Sequence, residues 1–184
     1  MADVFLMGTA GSYNDPNRSL WREPIKEGLK KLGVSYYDPV VPTWTDDTMM
    51  RESEAMATAK MLVMAITSTT AGVASLAESG WLIASAIMRK QVVGIWVDGM
   101  FEGLKLTQGT MMIRREMMLK MGPETLEDAS RRARKLVNSH ARKLLEEYPD
   151  LKLYVAKDLP DLTDWTLRMA QELIVKPKKR FGLF

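Results

Sequence analysis

Five short apolar runs, at residues 4–7, 34–37, 61–67, 92–97 and 151–156, punctuate the chain, each bounded by Gly, Pro, Asp or Ser. Runs this short, rich in β-branched residues and flanked by turn formers, read as strands. Longer segments of helical period lie between them. Trp21, Ile25, Leu29 and Leu32 recur at the spacing of one helix face, and Leu76, Ile83 and Ile87 do the same. Strands alternating with helices of this length form βαβ units, whose right-handed crossovers cover both faces of a parallel sheet. The expected fold class is α/β, with a five-stranded, doubly wound parallel sheet. A chain of 184 residues supports one such domain; its expected extent is 1–175, followed by a basic tail at 176–184.

Composition narrows the chemistry. The chain has no cysteine, which excludes disulfides, thiolate metal sites and a thiol nucleophile. The N-terminus lacks a basic region followed by a long apolar run, and no stretch reaches the ~18 apolar residues of a membrane helix. The expectation is a cytoplasmic protein without a membrane partner. Its formal charge is only +3, and the basic residues concentrate at 131–142 and 176–180. Neither segment carries the aromatic or polar base-contacting residues of a nucleic-acid reader, so they read as a solvated helix face and a loose tail. The single histidine, His140, falls in a helical stretch crowded with Arg and Lys and reads as a surface residue.

Two irregular stretches are long enough to be functional. Pro24 suits the first turn of a helix that starts around Trp21, which leaves 8–20 as a loop after the first strand. That loop exceeds the usual βα length of about 2–6 residues. It offers Gly8, Thr9, Ser12 and Tyr13 for close approach to a ligand, with Tyr13 and Asn14 as a candidate lid. The second stretch, 98–124, includes a methionine-rich run at 111–121 that reads as core, pocket lining or subunit interface.

The most informative segment is 61–86, where an apolar strand ends in a Thr/Ser/Gly loop and a helix is expected to open at Ser75. In open parallel sheets, ligands bind beyond the carboxyl ends of the strands, near the reversal of strand order. Ser75-Leu76-Ala77-Glu78 fits two readings. As a capping box, the serine caps a free amide and the glutamate reaches back to the serine N–H. As a catalytic group, Glu78 at a helix N-terminus facing the crevice is a carboxylate able to attack a sugar carbon.

Several segments together resemble the nucleoside 2-deoxyribosyltransferase family, in its divergent deoxyribosyltransferase-like branch. They are VFLMGTAGS at the first strand and loop, Trp21-Arg22, YYDPVVPTW at 36–44, Glu52 and Glu54, MLVMAIT, and SLAESG. The resemblance spans about residues 3–97 and implies a flavodoxin-like sheet of order 2-1-3-4-5. It further implies a cofactor-free enzyme acting on the N-glycosidic bond of nucleosides, and a homodimer or higher homo-oligomer. In such enzymes a glutamate on the helix after the third strand attacks C1′, the base leaves, and a second base takes the sugar from the glycosyl ester. By resemblance Glu78 occupies that position, with Ser75 beside it. Typical members carry an aspartate just after the third strand and another six residues before the nucleophile. Here the chain has Thr67, Ser68 and Thr69, and then Gly72.

Protonation of the leaving base is therefore left to Asp38 at the second strand's end, a residue that equally fits an Asp-Pro turn. Trp44 is a candidate to stack on a base, and Arg22 a candidate donor to sugar or phosphate; Trp44 equally reads as core, and Arg22 as a surface residue at a helix start. Trp21 fits a buried helix face better than a stacking role. Base exchange is the expected activity, with an N-glycoside hydrolase or a non-catalytic nucleotide-binding module as alternatives.

Overall fold

The computed structural model describes residues 2–10, 19–43, 45–100 and 126–175. Five strands, β1 (Val4–Gly8), β2 (Tyr36–Tyr37), β3 (Met61–Ile66), β4 (Val92–Val97) and β5 (Leu153–Val155), form one sheet in the order 2-1-3-4-5. Every neighbouring pair is parallel, with β1 matched to β3 from Val4↔Met61 to Gly8↔Ala65 and β3 to β4 from Met61↔Val92 to Ile66↔Val97. The expected fold class and strand order are thus what the chain adopts.

The helices are α1 (Glu23–Lys31, entered through a 3₁₀ turn at Leu20–Arg22), α2 (Asp46–Thr58), α3 (Val73–Met88), α4 (Leu126–Glu147) and α5 (Leu159–Ala170). Alternation along the strands divides the core in two. Val4, Leu6, Met61, Val63 and Ala65 pack with Trp21, Ile25 and Leu29 on the α1 side and Leu162 and Trp165 of α5. Phe5, Met7, Leu62, Met64 and Ile66 pack instead with Ala55 of α2, Leu82 and Ala86 of α3 and Ala141 of α4. All six β3 side chains are fully buried, which explains why the strand reads as a continuous apolar run. Gly28 and Gly94 leave room for Leu167 and Trp165 of α5, so that helix lies close against both α1 and the sheet.

Local signals set the helix ends. Pro24 stands in the first turn of α1. Thr45 and Thr48 cap α2 reciprocally, each side chain accepting from the other's backbone N–H, at 3.2 and 2.6 Å. Asp158 caps α5 by accepting from Asp161 N–H at 2.8 Å. Among the described residues, no helix is long and apolar enough to cross a membrane. The methionine run at 111–121 and the tail from 176 lie outside the described residues.

Candidate functional site

Strand order reverses between β1 and β3, so their carboxyl ends bound the crevice of a doubly wound sheet. The end of β1 fits tightly. Gly8 has φ +120, and a Cβ there would overlap the Ala65 carbonyl of β3, so only glycine allows this approach. The next residue, Thr9, donates its N–H to the same carbonyl at 2.9 Å, and its Oγ1 accepts from Thr67 N–H at 3.1 Å. Hydroxyl contacts of 2.9 Å from Thr9 to Thr67 and 2.8 Å from Thr67 to Thr69 extend the network into the β3–α3 loop. Where the resemblance implies an aspartate after the third strand, three threonines hold the two strand ends together.

Arg22 is no surface residue. It is fully buried, and its guanidinium donates to the Thr9 carbonyl at 2.9 Å and the Gly8 carbonyl at 3.1 Å. Trp21 Nε1 also donates to Thr9 O, at 3.0 Å. Asp38 stands 3.4 Å from Arg22 Nε and 3.2 Å from Lys26 Nζ, while its Oδ1 accepts from Val40 N–H at 3.2 Å. Asp38 therefore forms both the turn and an ion-pair cluster behind Arg22; the groove beyond is lined by its neighbours Pro39 and Val40 instead.

The helix after β3 departs from expectation. It opens at Val73, two residues before Ser75, after Gly72 at φ +62, and no side chain caps it. Ser75 and Glu78 consequently lie inside the helix and form no capping box. Local propensity favours that box, but the left-handed Gly72 turns the chain earlier, and Leu76 N–H already bonds the Gly72 carbonyl at 2.8 Å. Ser75 is buried and makes no hydrogen bond to Glu78 among the described residues. Glu78 thus stands free of a cap's structural duty. Gly72 also accounts for the second missing aspartate: a Cβ there would lie 2.9 Å from Ile66 Cγ2 and 3.3 Å from Arg134 Nη2.

Arg134, on α4, holds this loop from behind. Fully buried, it donates from Nη1 to the Ile66 and Asp98 carbonyls at 3.3 and 3.1 Å, from Nη2 to Thr70 O at 2.6 Å, and from Nε to Ser130 Oγ at 3.2 Å. Ser130 Oγ in turn donates to Ala71 O at 2.6 Å. Burial lowers the Arg134 pKa, against the opposing pull of Asp98. The expectation of a wholly solvated basic face at 131–142 is corrected at this residue; His140, on the same helix, is exposed.

Two grooves meet at a pair of carboxylates. A polar groove of about 360 Å³ is lined by Gly8, Thr9, Arg22, Gly72 and Ser75, and an apolar one of about 420 Å³ by Met7, Met49, Met56, Trp81 and Leu82. Glu52 of α2 and Glu78 of α3 line both. The Glu52 carboxyl is pushed above the usual range first by burial and then by the charge of Glu78, against an opposing effect of Arg22. Glu78 is exposed as a residue, and partial desolvation of its carboxyl is the sole cause that pushes it up. Among the described residues, no group of three or more His, Asp or Glu could hold a metal ion.

The sequence pattern of the family described as "Nucleoside 2-deoxyribosyltransferase like" matches residues 1–98, just over half the chain and, among the described residues, the part that lines both grooves. The chain belongs to this family. No curated protein matches it. Among solved structures, the "Crystal structure of conserved protein from Enterococcus faecalis V583" is similar at 15% identity and TM-score 0.43, over 92% of this chain and 99% of that one.

Of the residues expected at a deoxyribosyltransferase-like site, Gly8, Thr9, Arg22, Ser75 and Glu78 come together in the polar groove. Asp38 sits behind it, and Ser12, Tyr13 and Trp44 lie outside the described residues. Glu52 and Trp81 are additions to this set. Glu52 belongs to the resemblance without a role, and its carboxylate could have been paired with Glu78 from the crossover of α2 towards β3. Trp81 follows Glu78 by three residues, a spacing that places the two side by side on a helix.

Proposed function

We propose that the protein exchanges the base of a 2′-deoxynucleoside through a covalent glycosyl ester on Glu78. The observation that carries this reading is that the carboxylates stand where a polar groove meets an apolar one. C1′ is the atom that joins a polar sugar to a flat, largely apolar-faced base. A nucleoside with its sugar beside Gly8, Thr9 and Ser75 and its base against Trp81 and the methionines brings C1′ to Glu78. Base–aromatic stacking suits Trp81, which is 80% exposed and has an open face to offer.

The chemistry follows in two displacements. A Glu78 carboxylate oxygen attacks C1′, the C–N bond breaks, and its electron pair leaves with the base. An incoming base then attacks C1′ and frees the carboxylate. Two inversions retain the anomeric configuration.

Hydrolysis is the second reading, favoured by the exposure of Glu78, which leaves the ester open to water. Incubation with a mixture of deoxynucleosides and free bases, with products identified by mass, separates the two. New nucleosides formed only when a free base is present support exchange. Free base and sugar formed without an acceptor support hydrolysis, and binding without turnover overturns both.

A homo-oligomer belongs to the same proposal. Val73, Trp81 and Met88 run along the solvent side of α3 at 57%, 80% and 75% exposure, beside the carboxylates, and suit cover by a second copy of the chain. Sedimentation should give at least a dimer, and Met88→Lys should weaken it. A monomer with full activity contradicts this part of the proposal.

A further inference from the structure

Resting on the nucleoside reading above, we infer that Glu52 is the proton donor to the leaving base, and later the base that activates the acceptor. A nucleobase leaves poorly as an anion, so the C–N bond needs a proton on the departing nitrogen as its electron pair arrives. Where the family's usual carboxylates stand, this chain has Thr67, Ser68 and Thr69, and then Gly72, none of which can give up a proton at working pH. Asp38 is engaged by Arg22, Lys26 and Val40 and does not line the groove. Glu52 does line it, on α2, across from Glu78 on α3 and on the shared border of both grooves. A base seated against Met49, Met56 and Trp81 lies in a groove that Glu52 lines, while Glu78 attacks the sugar.

Position assigns the roles: Glu78 stands on the helix that follows β3, and Glu52 on α2 lines both grooves with it. Burial opposes charge on both, and the charge of Glu78 pushes Glu52 further up, against an opposing effect of Arg22. Two neighbouring carboxyls resist ionising together, so a charged Glu78 favours the protonated form of Glu52. One group is poised as nucleophile and the other as acid, as in retaining glycosidases. In the first half-reaction the Glu52 proton moves to the base nitrogen, leaving Glu52 a carboxylate. In the second, that carboxylate takes a proton from the incoming N–H, or from water if hydrolysis prevails, and the cycle closes with no other reactant. The charged and titratable groups that bear on Glu52 are Glu78 of α3, Arg22 of the 3₁₀ turn and Tyr37 of β2.

Glu52→Gln keeps the shape and removes the proton. With 2′-deoxynucleosides, base release by this variant should fall about 10²–10⁴-fold. With 4-nitrophenyl 2-deoxyriboside, whose leaving group departs as a stable anion, the first-turnover release of nitrophenolate should stay within a few-fold of the parent. In the parent, rates with deoxynucleosides should decline at alkaline pH as Glu52 loses its proton, and that decline should be absent with the nitrophenyl donor. Equal losses on both donors, or the same alkaline decline on both, would overturn the role of Glu52 and leave that of Glu78 intact. A parent protein inert towards both donors would overturn the nucleoside reading itself, and the assignment of Glu52 with it.

Discussion

Residues 1–98 and 126–175 serve the candidate site in different ways. The first region matches the family and, among the described residues, supplies every side chain that lines the two grooves, Glu52 and Glu78 among them. The second lines neither groove, yet its Arg134 holds the loop on which α3 begins, through the carbonyls of Ile66, Thr70 and Asp98. Ser130 adds Ala71. Backbone carbonyls at a strand end need donors, and a buried guanidinium offers five in a fixed fork. In the proposed reading, the chemistry belongs to the recognisable half, and the loop that leads into the Glu78 helix is held by residues that carry no family pattern.

Substitutions in the two halves should separate these duties. Glu78→Gln should lower activity by about 10⁴-fold or more, as loss of a covalent nucleophile does, without lowering Tm. An active variant would place the chemistry elsewhere. Arg134→Met should act on both properties: about 3 kcal/mol of stability, since several buried acceptors lose a charged donor, and about 10²-fold in kcat/KM as the loop and α3 shift. Activity lost at unchanged Tm would mean that Arg134 contacts substrate, which would erase the contrast between the halves. Trp81→Ala should raise KM for nucleoside donors about tenfold and change kcat little, the signature of lost stacking.

The smallest effect concerns pH. Glu52 and Glu78 both have folded-state pKa values raised above the unfolded value near 4.5. The folded protein therefore binds more protons than the unfolded chain between that value and the raised one, and stability falls as pH rises through this window. The Glu52→Gln variant should show a shallower fall and a Tm at pH 7 equal to or above that of the parent. A lower Tm would mean that Glu52 is held by partners that stabilise its charge. His140→Gln, on the exposed side of α4, should change neither activity nor stability measurably.

The sheet was legible because its strands are buried on both faces. Such strands read as unbroken apolar runs, and β3 and β4 appear at or within one residue of their expected ends. The short edge strands are less sharply marked: β2 and β5 extend over only two and three residues. At the site, Glu78 could be found by resemblance, but its helix could not be started correctly. The Ser75–Glu78 pattern satisfies a local capping rule, whereas the true start depends on Gly72 in a left-handed turn packed against Ile66 and Arg134. Arg134 was hidden for a related reason. In sequence it is one of many basic residues on α4, and only its spacing from the buried Ser130 and Ala141 puts it on the inward face. Charge counting alone cannot distinguish a solvated arginine from one that bonds four backbone and side-chain oxygens.

The central claim is that Glu78 forms a covalent bond with the sugar. A 2′-fluoro nucleoside with a reactive leaving base destabilises the positive charge of both transition states, so the glycosyl ester should accumulate and be visible by mass. Digestion should place the added mass on Glu78, and restoring an acceptor base should release it with retained anomeric configuration. An adduct on any other carboxylate, or turnover with inverted configuration and no adduct, would contradict the account.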